Sequence, residues 1–206
     1  RMEEAERLCR SVIDRAERTG VPDAALPAVI GLAELLWRRG ALDEAAELLG
    51  GARLIEAGHS RDRGRRTVDM LLGMVALRRG DLIAAHDHLV VALRSRIRHG
   101  FRGAAADTVA AIAVRCALGG DPTTAAMLFA AVQSCGRTGR AEVFGDFWSA
   151  QQAALRARSG DAVFDASYAD GTLLDLDRAV MVALAVEHPD LEAGSIRFGA
   201  DAPTLH

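Results

Sequence analysis

Apolar residues recur along most of the chain with a helical period, and the whole pattern returns after forty residues. Gly40, Gly80, Gly120 and Gly160 mark that interval. The first three follow amphipathic or apolar segments, Leu36-Trp37-Arg38-Arg39, Leu77-Arg78-Arg79 and Ala117-Leu118-Gly119. Five residues after each comes an alanine (Ala45, Ala85, Ala125), and four further on a large apolar residue (Leu49, Leu89, Phe129). Seven residues before each glycine stands a small residue (Ala33, Gly73, Ala113). The period predicts helix, tight turn, helix, three times over, after one orphan helix that begins the series at Ala5. Glycine ends each first helix because the turn needs φ > 0, where a Cβ is costly. The small residues fall where the two helices of a hairpin cross, and the large apolar ones fill the space between hairpins. Asp121-Pro122 reads as an N-cap followed by proline at the first helical position.

After Gly139 the pattern decays. Asp165 stands where the repeat alanine belongs, and Phe144, Phe147, Trp148, Phe164 and Tyr168 gather within a short stretch. This predicts a helical cap with a bulkier core: helices over about 142–158 and 162–169, then one over 176–186 capped by Asp175. The chain divides accordingly into repeats over 1–139, a cap over 140–187 and a tail or linker over 188–206.

Composition sharpens the fold class to all-α. The 206 residues are 50% hydrophobic and 26% charged, enough to bury a core. Alanine, the best helix former, occurs 40 times. A net charge of −3 excludes a globally basic nucleic-acid binder. All 25 basic residues are arginine, and lysine and asparagine are absent, which fits a high-GC coding sequence. Cys9, Cys116 and Cys135, odd in number and widely spaced, suggest a reducing compartment and no disulfide framework. No apolar run reaches the length of a membrane span, and the acidic start is not a signal peptide, so a cytoplasmic location is expected. A chain that begins inside a helix reads as a piece of something longer.

The small residue, turn glycine, alanine and large apolar residue keep the mutual spacing of the tetratricopeptide repeat (TPR), and the chain resembles that family. It departs in period, forty against about thirty-four, the extra residues falling between Ala52 and Thr67. The resemblance implies a right-handed α-solenoid. Residues 76–186 further resemble the end of the TPR-like region in large ATP-binding transcriptional regulators of the LuxR family and in AfsR-like regulators. The carriers are Ala125-Ala126-Met127-Leu128-Phe129-Ala130-Ala131, Phe147-Trp148, Ser159-Gly160-Asp161-Ala162-Val163-Phe164, Tyr168-Ala169-Asp170-Gly171 and Leu174-Asp175-Leu176-Asp177-Arg178-Ala179-Val180. That likeness implies a non-catalytic interaction or sensor segment coupling ligand or partner binding to transcription. A free-standing interaction scaffold or homodimerisation module is the alternative. Without lysine no Walker A loop exists here, so ATP would belong to another domain of such a regulator, and no cofactor is expected on this segment.

Catalytic signatures are missing, and no enzyme activity is expected. His86 and His88 are two apart on a helix and point to different faces, which does not suit metal chelation. Cys116 and Cys135 could approach across a hairpin, but read as ordinary small apolar packing. Arginines cluster as Arg61, Arg63, Arg65, Arg66 and as Arg94, Arg96, Arg98, Arg102, a candidate rim for an anion or acidic partner. Bases have no aromatic platform there, which disfavours direct nucleic-acid binding. By the family's groove positions, the candidate partner or effector surface comprises Ile30, Glu34, Trp37 and Arg38, then Met70, Met74, Leu77 and Arg78, then Asp107, Val114 and Leu118. Trp and Met suit adaptable binding surfaces. Packing inside the superhelix or against a dimer mate is the alternative for Trp37, Met70 and Met74. The expected partner is a protein or an adjoining domain, with a small effector or a second copy as alternatives.

Overall fold

The computed structural model describes residues 2–57, 62–136 and 141–186. These build an all-α chain, and no strand occurs among the described residues. The α-helices are α1 (Met2–Arg18), α2 (Leu26–Arg39), α3 (Leu42–Ala57), α4 (Asp62–Arg79), α5 (Leu82–Arg98), α6 (Arg102–Leu118), α7 (Pro122–Ser134), α8 (Ala141–Ser159), α9 (Asp161–Thr172) and α10 (Leu176–Ala185). A short 3-10 helix, Pro22–Ala25, leads into α2. No helix among the described residues is long and apolar enough to cross a membrane. The expected tail at 188–206 lies outside the described residues.

Local chemistry explains the turns. Gly40, Gly80 and Gly120 have φ of 85°, 75° and 85°, a region open to glycine at little cost. The amide after the first two reaches back to close the turn, Ala41 N to Leu36 O at 2.9 Å and Asp81 N to Ala76 O at 3.0 Å. The next helices then start on side-chain caps. Asp81 accepts from the Ala84 amide at 2.9 Å and Asp121 from the Thr124 amide at 3.0 Å. Asp175 caps α10 in the same way, accepting from Arg178 N at 2.8 Å.

Helices α2 and α3, α4 and α5, and α6 and α7 pack as neighbours joined by these turns, and α2, α4 and α6 also touch one another in series. Small residues set the closest approaches. An added Cβ at Gly73 of α4 would lie 2.7 Å from the Leu89 side chain of α5. Ala33, Ala113, Ala45, Ala85 and Ala125 are all buried. Helix α6 is the centre of the core: every residue from Ala105 to Ala117 is buried, because α4, α5, α7, α8 and α10 surround it. Helix α9 lies against α7 so closely that a Cβ on Gly171 would stand 2.2 Å from the Met127 carbonyl oxygen.

Candidate partner-binding surface

The residues expected to line an open groove are mostly inside the protein. Trp37, Met70, Met74, Leu77, Asp107 and Val114 are buried. Ile30, Glu34 and Leu118 are half-buried, and only Arg38 and Arg78 are exposed. The expectation of an open, Trp- and Met-lined groove is therefore corrected, and internal packing is what these residues do. At Trp37 the reason is helix α8. Its Phe144 and Phe147 rings meet Trp37 edge-on, with centroids 4.9 Å and 5.2 Å away. Toward its other end, Arg158 Nη2 donates to the Ala117 carbonyl of α6 at 3.3 Å. A helix of this length spans about 28 Å, so α8 runs from the last turn of α2 to the last turn of α6.

Trp37 is fixed on several sides. Its indole N–H donates to the Met74 carbonyl at 3.0 Å. The Arg78 guanidinium lies over the ring, 5.1 Å from its centroid, and donates to the Trp37 carbonyl. Burial lowers the Arg78 pKa, but the guanidinium stays protonated in any ordinary buffer.

Helix α8 itself buries few side chains. Among its described side chains α8 buries Phe144, Trp148 and Leu155, one narrow stripe. Trp148 Nε1 is buried with no acceptor among the described residues, a loss of about 1–3 kcal/mol. Gly145 lies in the helix with nothing within 4 Å of where a Cβ would be, so packing does not require glycine there. Sequence reading found this aromatic cluster but assigned it only to a local cap core.

Of the arginine rim, only the cluster Arg94, Arg96, Arg98 and Arg102 lies among the described side chains. Arg96 is buried, and its Nη1 donates to Ala104 O and Thr108 Oγ1, both at 2.6 Å. Arg102 pairs with Asp177 at 2.8 Å. Arg94 and Arg98 remain exposed. Arg61 lies outside the described residues, as do the side chains of Arg63, Arg65 and Arg66.

One buried ionic group escaped sequence reading. Asp69 of α4 is only 1% exposed, with Arg53 Nε of α3 at 3.4 Å and His88 Nδ1 of α5 at 3.5 Å from its Oδ1. The signal was a lone carboxylate inside the apolar run Val68-Asp69-Met70-Leu71. Among the described residues no cluster of three or more His, Cys, Asp or Glu is placed to hold a metal. Cys116 is buried, and burial pushes its thiol up to about 11, so it is protonated near neutrality and a poor nucleophile. Cys135 is exposed and its pKa is also raised, by partial burial and by the carboxylate of Asp175.

No protein-family model, curated protein or solved structure matches the chain.

Proposed function

We propose that this chain is a TPR-like right-handed α-solenoid with a helical cap, and that it serves as a non-catalytic interaction and sensor segment of a cytoplasmic, ATP-binding transcriptional regulator of the LuxR or AfsR-like kind. The observation that carries the reading is the forty-residue register: α3, α5 and α7 open at Leu42, Leu82 and Pro122, each directly after a glycine turn and its following residue. Repeated helical hairpins present surface without building a reaction centre.

The position of α8 supplies a coupling mechanism. It lies across the ends of α2 and α6, so any change in the stacking of those helices alters its seat. A partner or effector that prefers the array with α8 shifted by a few kcal/mol would change the population of the two arrangements. An adjoining ATP-binding domain would respond to that change.

The test is a sedimentation-velocity titration of this chain with the ATP-binding domain encoded in the same reading frame. Association weakened by Phe147→Ala supports the regulator reading. A reading frame that encodes no ATP-binding domain, or a domain that ignores this chain, removes it and leaves the free-standing scaffold.

A further inference from the structure

Helix α1 carries an apolar face that none of the described residues covers. Among its described residues only Ala16 is buried, although Cys9 and Ile13 turn toward the core. Cys9 faces α2, its Sγ lying 3.6 Å from where a Gly31 Cβ would be. The other apolar side chains stand in solvent, Leu8 at 60% exposure and Val12 at 47%.

The forty-residue register shows what such a face meets elsewhere. Val12 corresponds to Ala52, Ala92 and Val132, which are 2%, 0% and 6% exposed. Leu8 corresponds to His88, whose ring faces Asp69 of α4, the first helix of its own hairpin. It also corresponds to Leu48, which is half-buried, and to Leu128, which is fully buried. Half-buried Ala5 corresponds to Ala45, Ala85 and Ala125, all inaccessible. One acidic position of α3 also recurs in α1. Arg39, ending α2, reaches Glu44 of α3 at 3.5 Å, and Glu4 is the exposed residue of α1 at the register of Glu44.

We propose that the Leu8–Val12 face of α1 is the docking site for one further helix of the kind of α2 and α4. That partner is amphipathic, carries alanine or glycine at its crossing point, and ends in arginine that pairs with Glu4. Burying Leu8 and Val12 supplies the driving force, and the arginine sets the register. The inference rests on the repeat reading above, yet the two fail separately. Docking on α1 stands whether or not an ATP-binding domain associates with this chain.

The experiment grafts residues 62–81, which are α4 and its turn, in place of Arg1, so that they precede Met2 as they precede Leu82. The melting temperature should rise by at least about 4 °C, and amide exchange in α1 should slow by at least about tenfold. The double change Leu8→Glu and Val12→Glu should cancel both gains in the graft. In the ungrafted chain it should leave the melting temperature within about 2 °C, as expected for exposed positions. A graft that changes neither reading, or gains that survive the two glutamates, would overturn the proposal. So would a dimer of the ungrafted chain that Leu8→Glu disperses, because the occupant would then be a second copy.

Discussion

Trp37 and Met74, on two successive first helices, are joined by an indole N–H donating to a backbone carbonyl at 3.0 Å. The same indole meets the Phe144 and Phe147 rings of α8 nearly at right angles, so one side chain ties α2, α4 and α8 together. Trp37→Phe keeps an aromatic surface for α8 and loses the donor. It should cost about 1 kcal/mol in urea unfolding. Trp37→Ala removes the seat altogether and should cost about 3–5 kcal/mol. Equal losses for the two substitutions would show that the ring contacts with α8 contribute little.

The two glycines Gly73 and Gly145 are both helical, and they should respond oppositely to alanine. At Gly73 the new methyl meets the Leu89 side chain at 2.7 Å. Overpacking of about 1–3 kcal/mol should exceed the helix-propensity gain of about 1 kcal/mol. At Gly145 the space is open, so the propensity gain should appear as a stabilisation of about 0.5–1 kcal/mol. Denaturant midpoints of the two variants measure the contrast. A stabilised Gly73→Ala would mean that the helices can separate at their crossing without loss.

Much of this packing could be read from spacing. Turn glycines and the Asp121 and Asp175 caps are local chemistry, and the crossing positions 33, 73 and 113 follow from period alone. The seat of α8 is not local. Phe144, Trp148 and Leu155 announce an apolar stripe, but nothing in the stripe says that it meets Trp37, far away in the chain. Arg96 is a different case, because its burial had a signal that the cluster obscured. Arg94 and Arg98 are four apart and share a helix face, whereas Arg96 lies near the opposite side. A helical projection separates it from the solvent rim. The exposure of Val12 stands out only beside its equivalents Ala52, Ala92 and Val132, which are buried in α3, α5 and α7.

Asp69 is a buried carboxylate with the Arg53 guanidinium of α3 and the His88 imidazole of α5 beside it. Removing both, in Arg53→Ala with His88→Ala, leaves the buried carboxylate without its polar neighbours and should cost about 1–3 kcal/mol. Asp69→Leu in the same background removes the charge and should recover part of that loss. The comparison is made by chemical denaturation of the double and triple variants. A triple variant less stable than the double would show that Asp69 stabilises the α3–α4–α5 junction without Arg53 and His88.

Cys116 makes stability depend on alkaline pH. Its thiol ionises near 9.0 when solvated, and burial in α6 raises that to about 11. The folded chain therefore holds the proton more tightly than the unfolded one. Below about pH 9 both states are protonated and the contribution is fully present. Above it the unfolded thiol ionises first, and stability falls as pH rises toward 11, by roughly 2–3 kcal/mol at the limit. The Cys116→Ala variant lacks this slope. Urea unfolding of both proteins from pH 8 to 10.5 should show the curves converging, with the native chain losing its advantage as the pH climbs. Parallel curves would mean that water reaches the Cys116 thiol in the folded state, and thiol-reactive reagents at pH 8 would then modify it as fast as they modify exposed Cys135.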